Sequence, residues 1–199
     1  MTALPAVPIW LVRHGETEWN AQRRLQGQQN SPLTATGRRQ ALAIADLLVR
    51  ILPRDPMPVL VASPLGRTME TARPIAAALA LEIATDPRIA EIGLGRGEGM
   101  TWDEIQAGRP GLFDGCAPHE RYFRVPDCET CDALYARVGD WLSGVDRPTV
   151  VVAHGISGRV LRGIYGGLDI AQAMTLPTPQ DGVWRLHGGS VEFIRAAMD

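Results

Sequence analysis

Five polar side chains of the kinds used in catalysis follow apolar segments of this sequence. Each segment has the length and composition of a buried strand, and the polar residues come at its end or within the next turn. They are Arg13, His14, Arg67, Glu91 and His154. Because ligands of parallel α/β sheets bind beyond the carboxyl ends of the strands, we expect these side chains to meet at one edge of a sheet.

Two histidines, two arginines and one glutamate at such an edge suit phosphoryl transfer. A neutral imidazole is a good nucleophile near pH 7, and it forms a phosphoramidate that water then attacks. Arginines neutralise the oxygens of the transferring group, while a carboxyl group protonates the leaving oxygen and later accepts a proton from water. The sequence has no H-E-x-x-H motif and no acidic cluster at metal-ligand spacing, so we expect neither a metal nor another cofactor.

Alternating strand and helix signals predict the elements that position these residues. Strands are predicted at residues 8–12, 57–62, within 81–89, at 149–153, and in a hairpin of 183–186 with 190–194. Helices are predicted at residues 38–52, 65–79, 102–106, 129–142 and 156–165. This alternation is typical of an α/β fold and favours a three-layer α/β/α sandwich with a mostly parallel central sheet.

The length of 199 residues predicts a single domain, residues 1–199, with one insertion at about 93–128. That insertion, called the lid segment below, is rich in Gly, Pro and Arg and has little periodicity outside its one short helix. A long irregular segment of this kind typically covers a site, so we expect it to lie over the strand ends.

The composition disfavours several classes of function. The 20 basic residues are all arginine and stand against 22 acidic ones, a net charge of −2 that predicts neither a nucleic acid nor a membrane as partner. Without lysine there is no Schiff-base chemistry and no P-loop. No apolar run reaches ~18 residues, and residues 1–10 do not have the pattern of a secretory signal.

The three cysteines Cys116, Cys128 and Cys131 are too few for a disulfide framework. Cys128 and Cys131 have C-x-x-C spacing, but no second Cys or His pair accompanies them at zinc spacing, which disfavours a metal or redox role. We therefore expect a reducing, cytoplasmic compartment, and the sequence leaves the role of these cysteines open.

Four sequence blocks occur together in a recognisable order. The first is L-V-R-H-G-E-T-E-W-N at residues 11–20, with its continuation at 23–40, and the others lie at 62–72, 91–99 and 150–155. The R-H-G motif alone is only moderately specific, whereas the four ordered blocks extend over almost the whole chain. Together they resemble the histidine phosphatase superfamily, in the branch that includes cofactor-dependent phosphoglycerate mutase.

The resemblance implies a role for each matching position and the same α/β/α fold. His14 would be the phosphorylated nucleophile and Glu91 the proton donor. Arg13, Arg67 and His154 would form the phosphate pocket, to which Asn20 would add a side-chain amide. Further contacts to phosphate or substrate are implied for Gln26, Gly27 and the backbone of Gly155.

Departures from the family pattern concern the substrate side. Gly97 stands where an aromatic residue often precedes Glu-Gly, and Cys-Glu-Thr at residues 128–130 replaces a Gly-Glu-Ser-like motif. Mutases of the branch carry a longer, lysine-rich insert, whereas about 35 residues separate Glu91 from the next predicted helix here. A short, glycine-rich lid admits water to a phosphohistidine and so favours hydrolysis.

We therefore predict a metal-independent phosphomonoesterase that acts on a small phosphorylated metabolite through a phosphohistidine. A bisphosphoglycerate-dependent phosphoglycerate mutase is the alternative, and a non-catalytic binding member of the fold is less favoured. Lid residues are hypothesised to bind a second anionic or sugar group, although each alone is equally compatible with a solvent-facing role: Arg96, Arg109, His119, Arg121, Tyr122 and Arg124. The identity of the metabolite stays open, and a homodimer is compatible with the sequence.

Overall fold

A six-stranded sheet forms the centre of the molecule in the computed structural model, which describes residues 4–198. Its strands are β1 (Ile9–Arg13), β2 (Val59–Ala62), β3 (Ile83–Thr85), β4 (Thr149–Ala153), β5 (Gly182–His187) and β6 (Ser190–Arg195). They lie in the order β3-β2-β4-β1-β5-β6. The first four pair in parallel, whereas β5 and β6 add two antiparallel pairings at one side, which confirms the predicted fold class.

Helices connect these strands. The α-helices are α1 (Glu18–Ala21), α2 (Ala35–Ile51), α3 (Gly66–Leu79), α4 (Trp102–Gly108), α5 (Cys131–Ser143), α6 (Gly155–Gly166) and α7 (Ile170–Thr175). Short 3-10 turns occupy Pro87–Ile89, Gly95–Gly97 and Pro118–Phe123. No helix within residues 4–198 is both long and apolar enough to cross a bilayer.

The sequence analysis missed α1 and α7 because helices of 4 and 6 residues are too short to show a periodic apolar pattern. Their capping boxes were the available signal. Thr17 and Asn20 exchange side-chain and backbone hydrogen bonds at the start of α1, and Asp169 and Gln172 do the same at α7.

Side chains alternate across the sheet and bury both of its faces. Val150 and Val152 pack in one apolar cluster with α2 and α3, while Val151 packs in the other with α5 and α6. All five residues of β4 are buried, as expected for the central strand of a three-layer sandwich. Burial of each Val side chain contributes about 1.5–3 kcal/mol, so this strand holds its carboxyl end firmly in place.

The lid segment has more regular structure than its sequence predicts. Besides α4 it contains two 3-10 turns, and Ile105, Phe113 and Val125 form a small buried cluster of their own. Trp102 packs edge-on against Phe113 and Tyr122, with ring centroids 5.6 and 5.1 Å apart. The segment is therefore held by its own core, and Tyr122 is fixed by aromatic packing.

Candidate active site

The two site histidines are neighbours because their strands are neighbours. β1 and β4 pair in parallel, with their last residues, Arg13 and Ala153, opposite each other. A histidine follows each strand, so His14 and His154 lie side by side. The backbone N–H of His14 donates to the Ala153 carbonyl at 3.0 Å. The imidazole centroids of His14 and His154 lie 5.3 Å apart, and each side chain is only 2% exposed.

Arg67 joins the two imidazoles. It lies on the first turn of α3 and is 1% exposed. Its Nε lies 3.3 Å from His14 Nε2 and 3.2 Å from His154 Nδ1. Its two terminal nitrogens donate to the carbonyls of Gln29 and Gly27, at 2.6 and 2.7 Å. Burial lowers the pKa of Arg67 to about 10, so the guanidinium remains charged at neutral pH.

Hydrogen bonds fix which nitrogen of His14 is free. Nδ1 lies 2.8 Å from the carbonyl oxygen of Gly15, which only accepts, so Nδ1 carries the proton. The lone pair is therefore on Nε2, which faces Arg67. Burial, followed by the positive charge of Arg67, lowers the pKa of both His14 and His154 well below the ordinary value. Both imidazoles are neutral at neutral pH, which makes His14 Nε2 a nucleophile.

Ser63, which the sequence analysis did not select, fixes the second imidazole. Its hydroxyl lies 2.8 Å from His154 Nε2 at the end of β2. The Arg67 Nε–H is a donor, so His154 Nδ1 accepts a hydrogen bond from it and carries no proton. The proton is therefore on Nε2, which donates a hydrogen bond to the Ser63 hydroxyl. The S-P dipeptide at this strand end was visible in the sequence, but nothing in the sequence linked it to a histidine 91 positions away.

The Glu91 carboxylate is held against the start of α6. Its oxygens accept from the backbone N–H groups of Ile156 at 3.0 Å, Ser157 at 2.9 Å and Ile92 at 3.1 Å. A Cβ added at Gly155 would lie 3.6 Å from a Glu91 oxygen and 3.7 Å from Arg13 Nε. Glycine at this position therefore leaves the space between the carboxylate and the guanidinium open.

Arg13 and Asn20 present unused donors near the same space. Arg13 Nη1 donates to the Thr178 carbonyl, whereas its buried Nε has no hydrogen-bond partner among the described residues. The Asn20 Oδ1 accepts from the Thr17 N–H, which leaves its Nδ2 available. An unpaired buried N–H is costly, so a phosphate oxygen at this point would satisfy it.

A cavity of about 180 Å³ lies between these groups. Nine of the residues selected from the sequence line it: Arg13, His14, Asn20, Gln26, Gly27, Arg67, Glu91, Gly155 and the lid residue Tyr122. His154 is not on its wall and lies beneath it, in contact with Arg67. The structure thus brings together a neutral imidazole, two guanidinium groups, a carboxylate and an amide, which can bind a phosphoryl group and exchange it with the imidazole.

A family model described as the histidine phosphatase superfamily (branch 1) matches residues 9–192. The chain belongs to this superfamily. The match confirms the resemblance drawn from the four sequence blocks, and it agrees with the placement of the two histidines at adjacent strand ends.

Relatives of this superfamily member include enzymes of two kinds. A probable phosphoglycerate mutase, GpmB, of Enterobacter sp. is 40% identical over 159 residues, which cover 75% of this chain and 70% of the relative. YhfR of Bacillus stearothermophilus has a similar structure, with a TM-score of 0.79, 29% identity and 96% of each chain covered. A mycobacterial glucosyl-3-phosphoglycerate phosphatase, solved with VO₃, gives a TM-score of 0.72 at 28% identity, with 96% and 97% covered.

Arg96 of this superfamily member is not brought to the cavity. Its guanidinium pairs with Asp127 at 2.7 Å and is 71% exposed. It borders a different cavity of about 220 Å³ inside the lid segment, together with Arg109 and the apolar side chains of Ile105 and Val125. Its proposed contact with substrate stays a prediction.

Other residues line the same cavity although the sequence analysis did not select them. Arg159 lies one turn beyond Gly155 on α6, on the same side of the helix, and Arg24 belongs to an Arg-Arg pair that reads as a solvated face. Leu25, Leu94 and Ile156 add apolar surface. Helical spacing from Gly155 is the signal in the sequence that could have identified Arg159.

Elsewhere in residues 4–198, no three His, Cys, Asp or Glu side chains converge in a group suited to a metal ion. All three cysteines are free thiols at intermediate burial. Burial raises the pKa of both Cys128 and Cys131, so the thiols at this spacing are protonated and weakly nucleophilic at neutral pH.

The lowered histidine pKa values predict that acid destabilises this fold. Below a pH of about 6.5 the unfolded chain binds protons that the folded His14 and His154 do not, so the free energy of unfolding falls by about 1.4 kcal/mol per pH unit for each histidine. Urea unfolding of the phosphate-free protein at several pH values from about 7 to 5 measures this slope.

Substitutions distinguish the contribution of the buried histidines to this slope from that of other titrating groups. His154→Asn should make the slope shallower, whereas His187→Asn, on an exposed part of β5, should leave it unchanged. Equal slopes for the native protein and the His154→Asn variant would contradict the assignment.

Proposed function

We propose that this chain is a metal-independent phosphomonoesterase that hydrolyses a small phosphorylated metabolite through a phosphohistidine at His14. The observation that carries the proposal is the unprotonated His14 Nε2, 3.3 Å from Arg67 Nε at the wall of a cavity that Arg13 and Arg67 line. A nucleophile surrounded by fixed cationic donors is the arrangement that phosphoryl transfer requires.

In the first step, His14 Nε2 attacks the phosphorus of the ester. The N–P bond forms as the P–O bond to the leaving group breaks, and the charge on the phosphoryl oxygens is taken up by Arg13, Arg67 and the amide of Asn20. Glu91, in its protonated form, gives its proton to the leaving oxygen, so the product leaves as a neutral alcohol. Three backbone N–H groups fix the position of Glu91 beside Gly155, at the cavity wall, where the leaving oxygen would lie within its reach.

In the second step, water replaces the leaving group. The Glu91 carboxylate accepts a proton from the water as its oxygen bonds to phosphorus and the N–P bond breaks, which releases orthophosphate and restores neutral His14. Each group thereby returns to its starting protonation state. No step calls for a metal ion, since two guanidinium groups already face the phosphoryl site.

The side of the cavity away from His14 would receive the leaving group. Leu25, Leu94 and Ile156 supply apolar surface to the cavity wall, and Tyr122 and Arg159 supply polar ends. Burial raises the pKa of Tyr122, so its hydroxyl stays protonated. This mixture favours a compact organic group that carries a second anionic or hydroxyl function.

Phosphoglycerate mutase activity is the second candidate, because a relative that is 40% identical over 159 residues is named a probable phosphoglycerate mutase. Hydrolysis is favoured by the lid segment, which packs around its own core and contributes only Leu94 and Tyr122 to the cavity wall. A lid that contributes so little leaves water a path to the N–P bond.

The purified protein should hydrolyse p-nitrophenyl phosphate in excess EDTA. Protein quenched in alkaline detergent should carry a phosphate that is stable to alkali and labile to acid, and His14→Ala should abolish both this label and the hydrolysis, because it removes the nucleophile. Exposed His187→Ala is the matched control and should retain activity. Interconversion of phosphoglycerates, primed with 2,3-bisphosphoglycerate and faster than phosphate release, would instead support the mutase. Metal-dependent hydrolysis that survives His14→Ala would overturn the proposal.

Glu91→Gln should impair substrates according to their leaving groups. An alkyl phosphate needs a proton on its leaving oxygen, so kcat/KM should fall by about 10²–10⁴-fold, whereas p-nitrophenolate leaves unaided and should lose far less. Parallel kcat/KM measurements on phenyl, alkyl and nitrophenyl phosphates provide the comparison. Equal losses across this series would count against the proton-donor role.

Arg159 and Arg96 should differ in their effect on substrates with a second anion. Arg159→Met should raise KM for 4-carboxyphenyl phosphate by about tenfold or more while changing KM for 4-methylphenyl phosphate little, because a lost charged contact costs ~1.5–3 kcal/mol. Arg96→Met, outside the cavity, tests the lid hypothesis in the same assay. A selective effect at Arg96 with none at Arg159 would move the leaving-group site to the lid segment.

A further inference from the structure

A short connecting segment between α7 and β5 contacts three arginines, of which Arg13 and Arg159 line the catalytic cavity. Its sequence is Leu-Pro-Thr-Pro-Gln at residues 176–180, and three successive carbonyl oxygens in it accept from three arginines. The pairs are Leu176 with Arg159 Nε at 2.7 Å, Pro177 with Arg162 Nη2 at 2.7 Å, and Thr178 with Arg13 Nη1. Because Pro177 and Pro179 fix φ and have no N–H, the segment is stiff and presents mainly acceptors.

Gln180 ends this segment and makes two contacts that reach the phosphate site. Its side-chain amide nitrogen donates to the backbone carbonyl of His14 at 2.9 Å and lies 3.2 Å from Asn20 Oδ1. Gln180 does not line the cavity itself. It therefore touches the nucleophile's backbone and a phosphate-binding amide without contacting substrate.

Backbone partners determine the orientation of both amides. The His14 carbonyl only accepts, so Gln180 must present its nitrogen to it. The Thr17 N–H only donates, at 3.2 Å, so Asn20 must present Oδ1 to it. Gln180 Nε2 and Asn20 Oδ1 are then matched as donor and acceptor. The two assignments agree independently, and together they leave Asn20 Nδ2 as the free donor toward the cavity.

We propose that Gln180 is a positioning residue of the phosphate site. The His14 carbonyl holds the Gln180 amide in place, and by donating to Asn20 Oδ1 that amide fixes Asn20 with Nδ2 toward the phosphoryl group. The inference rests on the proposed function only in taking this cavity as the phosphoryl site. Amides free to rotate would present an oxygen to the anion part of the time, so fixing the amide favours anion binding.

A double-mutant cycle on orthovanadate affinity tests the coupling. Isothermal calorimetry compares the native protein with Gln180→Met, Asn20→Ala and the double variant. Each single change should raise the Kd for vanadate by about tenfold, because each removes or misdirects the hydrogen bond from Asn20 Nδ2 to the charged anion. The double variant should stay within about threefold of Asn20→Ala, because Gln180 acts through the Asn20 amide. An unchanged Kd for Gln180→Met, or single effects that multiply to about a hundredfold, would overturn the proposal.

Further variants separate positioning from a purely structural role. Gln180→Glu keeps the size but turns an acceptor toward two oxygens, so it should weaken vanadate binding more than Gln180→Met. Gln106→Met, at an exposed glutamine of α4, is the matched control and should bind vanadate as the native protein does. Thermal unfolding of each variant identifies any that do not fold. Equal vanadate affinity in Gln180→Glu and the native protein would refute the inference.

A variant of Asn20 alone tests the orientation of the Asn20 amide, without any change at Gln180. Asn20→Asp should bind vanadate more weakly than Asn20→Ala, because a carboxylate oxygen would replace Nδ2 against the anion. Tighter or equal binding would show that the inferred orientation is wrong. Calorimetry requires no turnover, so failure of the native protein to hydrolyse phosphate esters would refute the proposed function while leaving this test of Gln180 intact.

Discussion

One buried N–H group, the Nε–H of Arg67, holds the centre of the site together. It lies between the two imidazoles, 3.3 Å from His14 and 3.2 Å from His154. Removing two imidazoles and a guanidinium from water is costly unless their polar atoms are paired. The pairing is favourable only if both histidines are neutral, so burial and the adjacent cation together keep His14 in its nucleophilic form. The rest of the pocket is built around this arrangement.

The sheet explains why the sequence revealed so much of this centre. Apolar runs mark the central strands, and parallel pairing of β1 with β4 brings Arg13, His14 and His154 to one edge whatever the loops do. Glu91 and Arg67 were likewise found from their positions after strands. Such residues are predictable because local pattern sets the strand ends and topology then sets their neighbours.

The remaining contacts could not be predicted, for reasons visible in particular residues. Gln180 reaches His14 and Asn20 across 166 and 160 positions, and its donor meets a backbone carbonyl that every residue possesses. Such contacts leave no pattern in the sequence. Arg96 shows the same limit from another side, because its place in the lid suggested an anion contact, and nothing in the sequence indicated that Asp127, 31 positions along, pairs with it. One-turn α1 was missed, and it carries Asn20.

Helix α6 fixes the separation of two residues that line the cavity, Glu91 and Arg159. The backbone N–H groups of Ile156 and Ser157 hold the Glu91 carboxylate, and Arg159 follows on the same helix, about 3–4.5 Å further along its axis. Glu91 and Arg159 are therefore both held by one rigid helix, and neither can move without the other. In the proposed reaction, a leaving group that contacts both Glu91 and Arg159 has to match the fixed separation that the helix gives them.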